Sequence, residues 1–94
     1  MDLVVNYKKA ASKEEGWDLA KAQITPEYVA KFNVKAEINY DRASGKIIAT
    51  GKGFTLSLEF SDNDCKVGVE LSLMLRPFKG KILEAVQNKL EKTV

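Results

Sequence analysis

"GKGFTLSLEFSDNDCKVGVELSL", Gly51 to Leu73, decides the fold. Phe54, Leu56, Leu58 and Phe60 alternate with Thr55, Ser57 and Glu59. After "SDND", Cys65, Val67, Val69, Leu71 and Leu73 alternate with Lys66, Gly68, Glu70 and Ser72. A period of two places each apolar set on one face of a pleated strand. Asp and Asn favour turns, so "SDND" joins two antiparallel neighbours, one face apolar and the other wet. On the other side, "GKG" reads as a tight turn in which Gly51 opens a type II′ hairpin. Further upstream the same rhythm continues. Val34, Ala36, Ile38 and Tyr40 oppose Lys35, Glu37 and Asn39. "DRASG" follows as a five-residue hairpin loop, with Gly45 free to take positive φ, and "KIIAT" is the return strand. Four strands joined by short turns form an antiparallel meander.

A sheet with one apolar face needs a cover, and both flanks of the meander supply one. "DLVVNYK" alternates as a short first strand. "SKEE", Ser12 to Glu15, is a capping box: the Ser12 hydroxyl accepts from the Glu15 amide and the Glu15 carboxylate reaches back to the Ser12 amide. Trp17, Ala20, Ile24, Tyr28 and Phe32 then share a helical face. Pro26 interrupts that helix, and Thr25-Pro26 reads as a new N-cap and first residue, so a break or kink is expected near Thr25. At the other flank, Pro77 ends a strand and suits the first turn of a helix. Phe78, Ile82, Leu83, Ala85, Val86 and Leu90 share one arc of that helix. Lys79 and Lys89 lie within the arc near its ends, where a long stem snorkels outward. The expected fold class is α+β, a single domain over 1–94 ordered β-α-β-β-β-β-α, with an antiparallel meander sheet and helices packed on one face. The first strand can join beside either the last or the first strand of the meander.

Ninety-four residues bury only about two-thirds of the surface their unfolded chain exposes, so nearly all the apolar content belongs to the core. The net charge of +2 is too balanced to argue for nucleic acid. The imbalance is local: Arg76 to Val94 holds five basic and two acidic residues. One cysteine excludes an internal disulfide. No apolar stretch approaches the ~20 residues of a membrane span, and no basic-then-apolar leader opens the sequence, so a cytoplasmic location is expected.

Chemistry is scarce. There is no histidine, which excludes Ser-His-Asp and Cys-His arrangements, and one Cys does not make a zinc site. "GKG" lacks the preceding glycine and following helix of a phosphate loop. "SDND" carries Asp62 and Asp64 but lacks the Gly and distant Glu of a calcium loop. Cys65 reads as a small apolar residue beside an acidic neighbour. Asp41, Glu59 and Glu70 are the carboxylates a His-free enzyme would need, and nothing in the sequence pairs them. The expectation is no enzyme, no cofactor and no metal. The segment that reads two ways is Arg76-Pro77-Phe78-Lys79-Gly80. It is a strand-to-helix corner, with Phe78 plugging the sheet end, or a contact surface formed by Arg76, Phe78, Lys79 and Lys81. Gly80 costs a helix roughly 1 kcal/mol against Ala, so it should have a packing reason.

"LSLMLRPFKGKILEAVQNKL", Leu71 to Leu90, with the strand, helix and meander before it, resembles the small polyhydroxyalkanoic acid system proteins of bacteria. Those chains carry a leucine-rich strand running into an "RPFKGKI"-like segment and a charged terminal helix. The likeness is specific from Leu71 to Ile82, while the interruption at Pro26 departs from the single helix typical of the family. The resemblance implies a polyhydroxyalkanoate granule or granule-associated protein as partner, and it brings no catalytic residue. The expected function is therefore a non-enzymatic protein acting through surface contacts with a granule, a granule protein or a second copy as a homodimer. The alternative is a small carrier holding a lipophilic ligand between sheet and helices.

Overall fold

The computed structural model describes residues 2–32 and 35–94. The elements are β1 (Leu3–Asn6), α1 (Lys13–Gln23), α2 (Pro26–Ala30), β2 (Ala36–Asp41), β3 (Lys46–Gly51), β4 (Phe54–Phe60), β5 (Asp64–Leu71), a 3-10 turn (Arg76–Phe78) and α3 (Lys79–Thr93). The strands form one antiparallel sheet in the order β1-β5-β4-β3-β2. The expected α+β architecture is present, and β1 joins beside the last strand, with Leu3 opposite Val67 and Val5 opposite Cys65. Val34, expected to open the apolar face of β2, lies outside the described residues.

The register explains why the sheet has two unlike faces. Leu3, Val67, Leu58, Ile47 and Tyr40 make one row across all five strands of the inner face. Val69, Leu56, Ala49 and Ile38 make the next. On the outer face, Lys66, Glu59, Lys46 and Asp41 stand opposite one another in turn, so charge alternates from strand to strand. Opposite charges so placed contribute roughly 0.2–1 kcal/mol per pair, near the low end when exposed as here. The open face is thus charged and wet.

The helices cover the inner face. Ser12 caps α1 as expected, its Oγ accepting from the Glu15 amide at 3.2 Å. The Glu15 carboxylate does not return to Ser12; it accepts from the Ala11 amide at 3.0 Å, one residue upstream. The helix ends at Gln23, and Thr25 Oγ1 accepts from the Tyr28 amide at 3.2 Å to start α2 on Pro26. The break at Pro26 is therefore a clean re-capping. Three aromatic side chains tie neighbouring elements together through their polar atoms. Trp17 Nε1 donates to the Lys46 carbonyl at 3.1 Å, Tyr40 Oη to the Ile24 carbonyl at 2.7 Å, and Tyr28 Oη to the Ala85 carbonyl at 3.4 Å. Ile82, Val86 and Leu90 of α3 enter the same core as Leu56, Leu58, Phe60 and Val67. Lys89 snorkels as its position requires, its ammonium 5.5 Å from the Tyr28 ring centroid.

Two turn readings need correction. Positive φ in the "GKG" turn belongs to Gly53 (φ 71), while Gly51 ends β3 paired with Phe54. The turn residues are Lys52 and Gly53, one position later than the Gly51-first reading. Gly45 does carry positive φ, at 68. The second correction is larger. The alternation of Leu71 with Leu73 predicts a strand through Leu73, yet β5 ends at Leu71. The Ser72 amide donates to the Gly53 carbonyl at 2.9 Å, and the Ser72 carbonyl then accepts from both Leu75 and Arg76 at 3.0 Å. The chain folds back there, and Leu73 leaves the inner face.

Candidate contact surface

The corner between β5 and α3 is built by that double acceptance at Ser72 and by Pro77. Pro77 has no amide to donate, so it fits early in the 3-10 turn that follows. The Phe78 amide donates to the Leu75 carbonyl at 2.9 Å, and the Lys79 amide to the Arg76 carbonyl, carrying the chain into α3. This geometry throws three apolar side chains outward. Leu73 is 76% exposed, Met74 86% and Phe78 51%. Among the other described residues, Val4 and Leu19 are exposed singly, and each is less exposed than these three. An apolar patch this concentrated is the kind that marks a contact site.

The four residues expected to form the surface are neighbours in space but face two ways. Phe78 and Lys81 line an open groove with Phe32, Phe54, Leu75 and Ile82, and Lys31 completes its wall. The groove has a volume of about 490 Å³. Phe54, nearly fully buried, is its floor, with the Phe32 ring centroid 6.4 Å away. Arg76 and Lys79 instead line a second hollow beside Val69, Glu70 and Leu71. Lys79 is held there by Asp2, Nζ to Oδ1 at 2.9 Å. The Val69 amide, donating to Asp2 Oδ2 at 2.9 Å, and the Lys79 ammonium together hold the Asp2 carboxyl below its ordinary range. Phe78 is half exposed and does not plug the sheet end; Phe54 and Ile82 fill that place.

Gly80 bears on the choice between corner and surface. A Cβ built on it meets nothing within 4 Å. The chain itself thus offers no packing reason for glycine at this helical position, whereas a close-approaching partner would. Leu73, Met74, Lys31 and Phe32 were not legible as part of the site. Leu73 fits a strand by its period, Phe32 reads as a core aromatic of the helical face, and Lys31 and Phe32 reach the groove from the turn after α2 only through tertiary packing.

The remaining chemistry-bearing residues serve the fold. Asp62 Oδ1 accepts from the Lys13 amide at 3.3 Å and Asp64 Oδ1 from Ser61 Oγ at 2.8 Å, so the "SDND" carboxylates brace a turn. Asp41 Oδ1 accepts from the Ser44 amide at 3.2 Å, which lowers its pKa. Glu59 and Glu70 stand on the open face. Cys65 is buried, and burial pushes its thiol up to about 12. Among the described residues no group of three or more His, Cys, Asp or Glu is placed to hold a metal ion. No described helix is long and apolar enough to cross a membrane.

Comparison with known proteins returns nothing: no family model, no curated protein and no solved structure matches this chain.

Proposed function

We propose that this chain is a non-enzymatic contact protein that attaches through the Ser72–Ile82 corner to a polyester storage granule or a protein on its surface. The setting comes from the resemblance of Leu71 to Ile82 to the polyhydroxyalkanoic acid system proteins. The observation that carries the reading is the outward projection of Leu73, Met74 and Phe78 beside Arg76 and Lys81, with Lys79 paired to Asp2. Burying those three side chains from their present exposure yields about 3–6 kcal/mol of gross attraction. That is enough for reversible attachment and too little for permanent anchoring once association costs are met.

The test is co-sedimentation with isolated polyhydroxyalkanoate granules. Phe78→Ala removes about 1 kcal/mol of contact, so roughly fivefold weaker retention is expected. Lys81→Glu added to it should weaken retention further. Gly80→Gln, which fills open space on the surface, should reduce retention while leaving the fold intact. Retention equal to the original protein for all three removes the corner as the contact surface.

A second reading, a carrier for a lipophilic molecule, is favoured by the Phe32–Phe54–Ile82 groove. The site differs from the one the sequence suggests. Buried side chains fill the space between sheet and helices, and the groove opens at its end.

A further inference from the structure

We infer that the groove between α2, the start of β4 and α3 is a binding site for a single amphipathic anion, an acyl chain with a carboxylate head. This rests on the carrier reading and shares Phe78 and Lys81 with the proposed granule contact. Its walls divide chemically. Phe32, Phe54, Leu75, Phe78 and Ile82 supply apolar surface, and the charged residues lining it are Lys31 and Lys81. Both lysines are exposed, and neither is in an ion pair with a described carboxylate within 4 Å. An uncharged lipophile would satisfy the aromatic walls and leave the two cations idle. A two-sided ligand satisfies both, its chain over Phe54 and its head among the lysines. The volume of about 490 Å³ lies within the ~300–1,000 Å³ range of small-molecule sites. A cationic or zwitterionic head is disfavoured, since no acidic side chain lines the groove.

The neighbouring apolar tip is a separate feature. Leu73 and Met74 do not line the groove, so the two sites are separable by substitution. The experiment is titration of the full chain with octanoate, decanoate and dodecanoate below their micellar concentrations, followed by side-chain chemical shifts. Shifts should centre on Phe32, Phe54 and Ile82. Affinity should rise by up to about fourfold per added methylene until the groove is filled. Dodecanol should bind at least several-fold more weakly than dodecanoate, and Lys31→Gln with Lys81→Gln should abolish that preference. Both lysines are exposed, so these variants keep the fold, with Trp17 fluorescence as the check. Met74→Ser should leave dodecanoate affinity unchanged while weakening granule retention. Equal binding of alcohol and carboxylate overturns the carboxylate inference and leaves the carrier reading standing. Shifts that map elsewhere, or no shifts with any of the four ligands, overturn both.

Discussion

Leu73 and Leu90 offer a direct contrast, because both end apolar runs in the sequence and the structure treats them oppositely. Leu90 is fully buried on the core-facing side of α3, while Leu73 is 76% exposed at the corner. Leu90→Ala removes buried methyl groups and leaves a cavity, costing about 2–5 kcal/mol. For 94 residues the total stability is roughly 5–14 kcal/mol, so this one change takes a large share of it. Leu73→Ala removes a side chain already in water and should stay within about 0.5 kcal/mol. The assay is guanidinium unfolding followed by Trp17, which is buried with its indole N–H bonded to β3 and so reports the core. With a slope of about 2 kcal/mol/M, Leu90→Ala should lower the midpoint by about 1–2.5 M, and Leu73→Ala by less than about 0.3 M. Equal shifts, or a larger one for Leu73→Ala, would mean that β5 continues through Leu73 and the corner is misplaced.

Other substitutions test separate links. Thr25→Ala removes the oxygen that accepts from the Tyr28 amide and should cost about 0.5–2 kcal/mol by chemical denaturation. Gly53→Ala forces a side chain into positive φ and against Ser72 Oγ at 2.8 Å, so thermal scanning should show clear destabilisation, whereas Gly80→Ala should hold or raise the melting temperature. The carboxyl of Asp2 is depressed below 3.8 in the folded chain, so its contribution is present above that value and lost as pH falls through the lower folded pKa; Asp2→Asn should flatten the stability profile from about pH 4 downward. Cys65, buried with its thiol pushed up to about 12, should resist iodoacetamide at pH 8 until the chain unfolds, and rapid labelling of native protein would show that the β5 core is open.

The residues that announced the fold are those whose signal is local. Phe54 to Phe60 and Cys65 to Leu71 set their own faces by alternation, and Thr25-Pro26 set its own break by capping chemistry. The pairing of β1 with β5 joins residues about sixty positions apart, and no short window encodes it. Leu73 misled for a physical reason. Period two describes a strand, but it does not say where the strand stops; Ser72, Leu73 and Met74 are all exposed in the turn that replaces it, and the Ser72 amide bonds the distant Gly53 carbonyl there. The capping-box pattern likewise names Ser12 as the amide for the Glu15 carboxylate, and the carboxylate instead takes the Ala11 amide one residue upstream. Of the contact surface, Arg76, Phe78, Lys79 and Lys81 were legible as a basic, apolar corner. Their division between two hollows depends on α2 and on Asp2, which reach the corner only once the chain is folded.

The central claim is that a filled core holds one exposed corner, and that this corner makes the contact. Hydrogen–deuterium exchange with and without polyester granules tests it most directly. Added protection concentrated on the Lys52–Gly53 turn and on Ser72 to Ile82 is the predicted result. Protection on the charged outer row of Lys46, Glu59 and Lys66, with the corner unchanged, would contradict it.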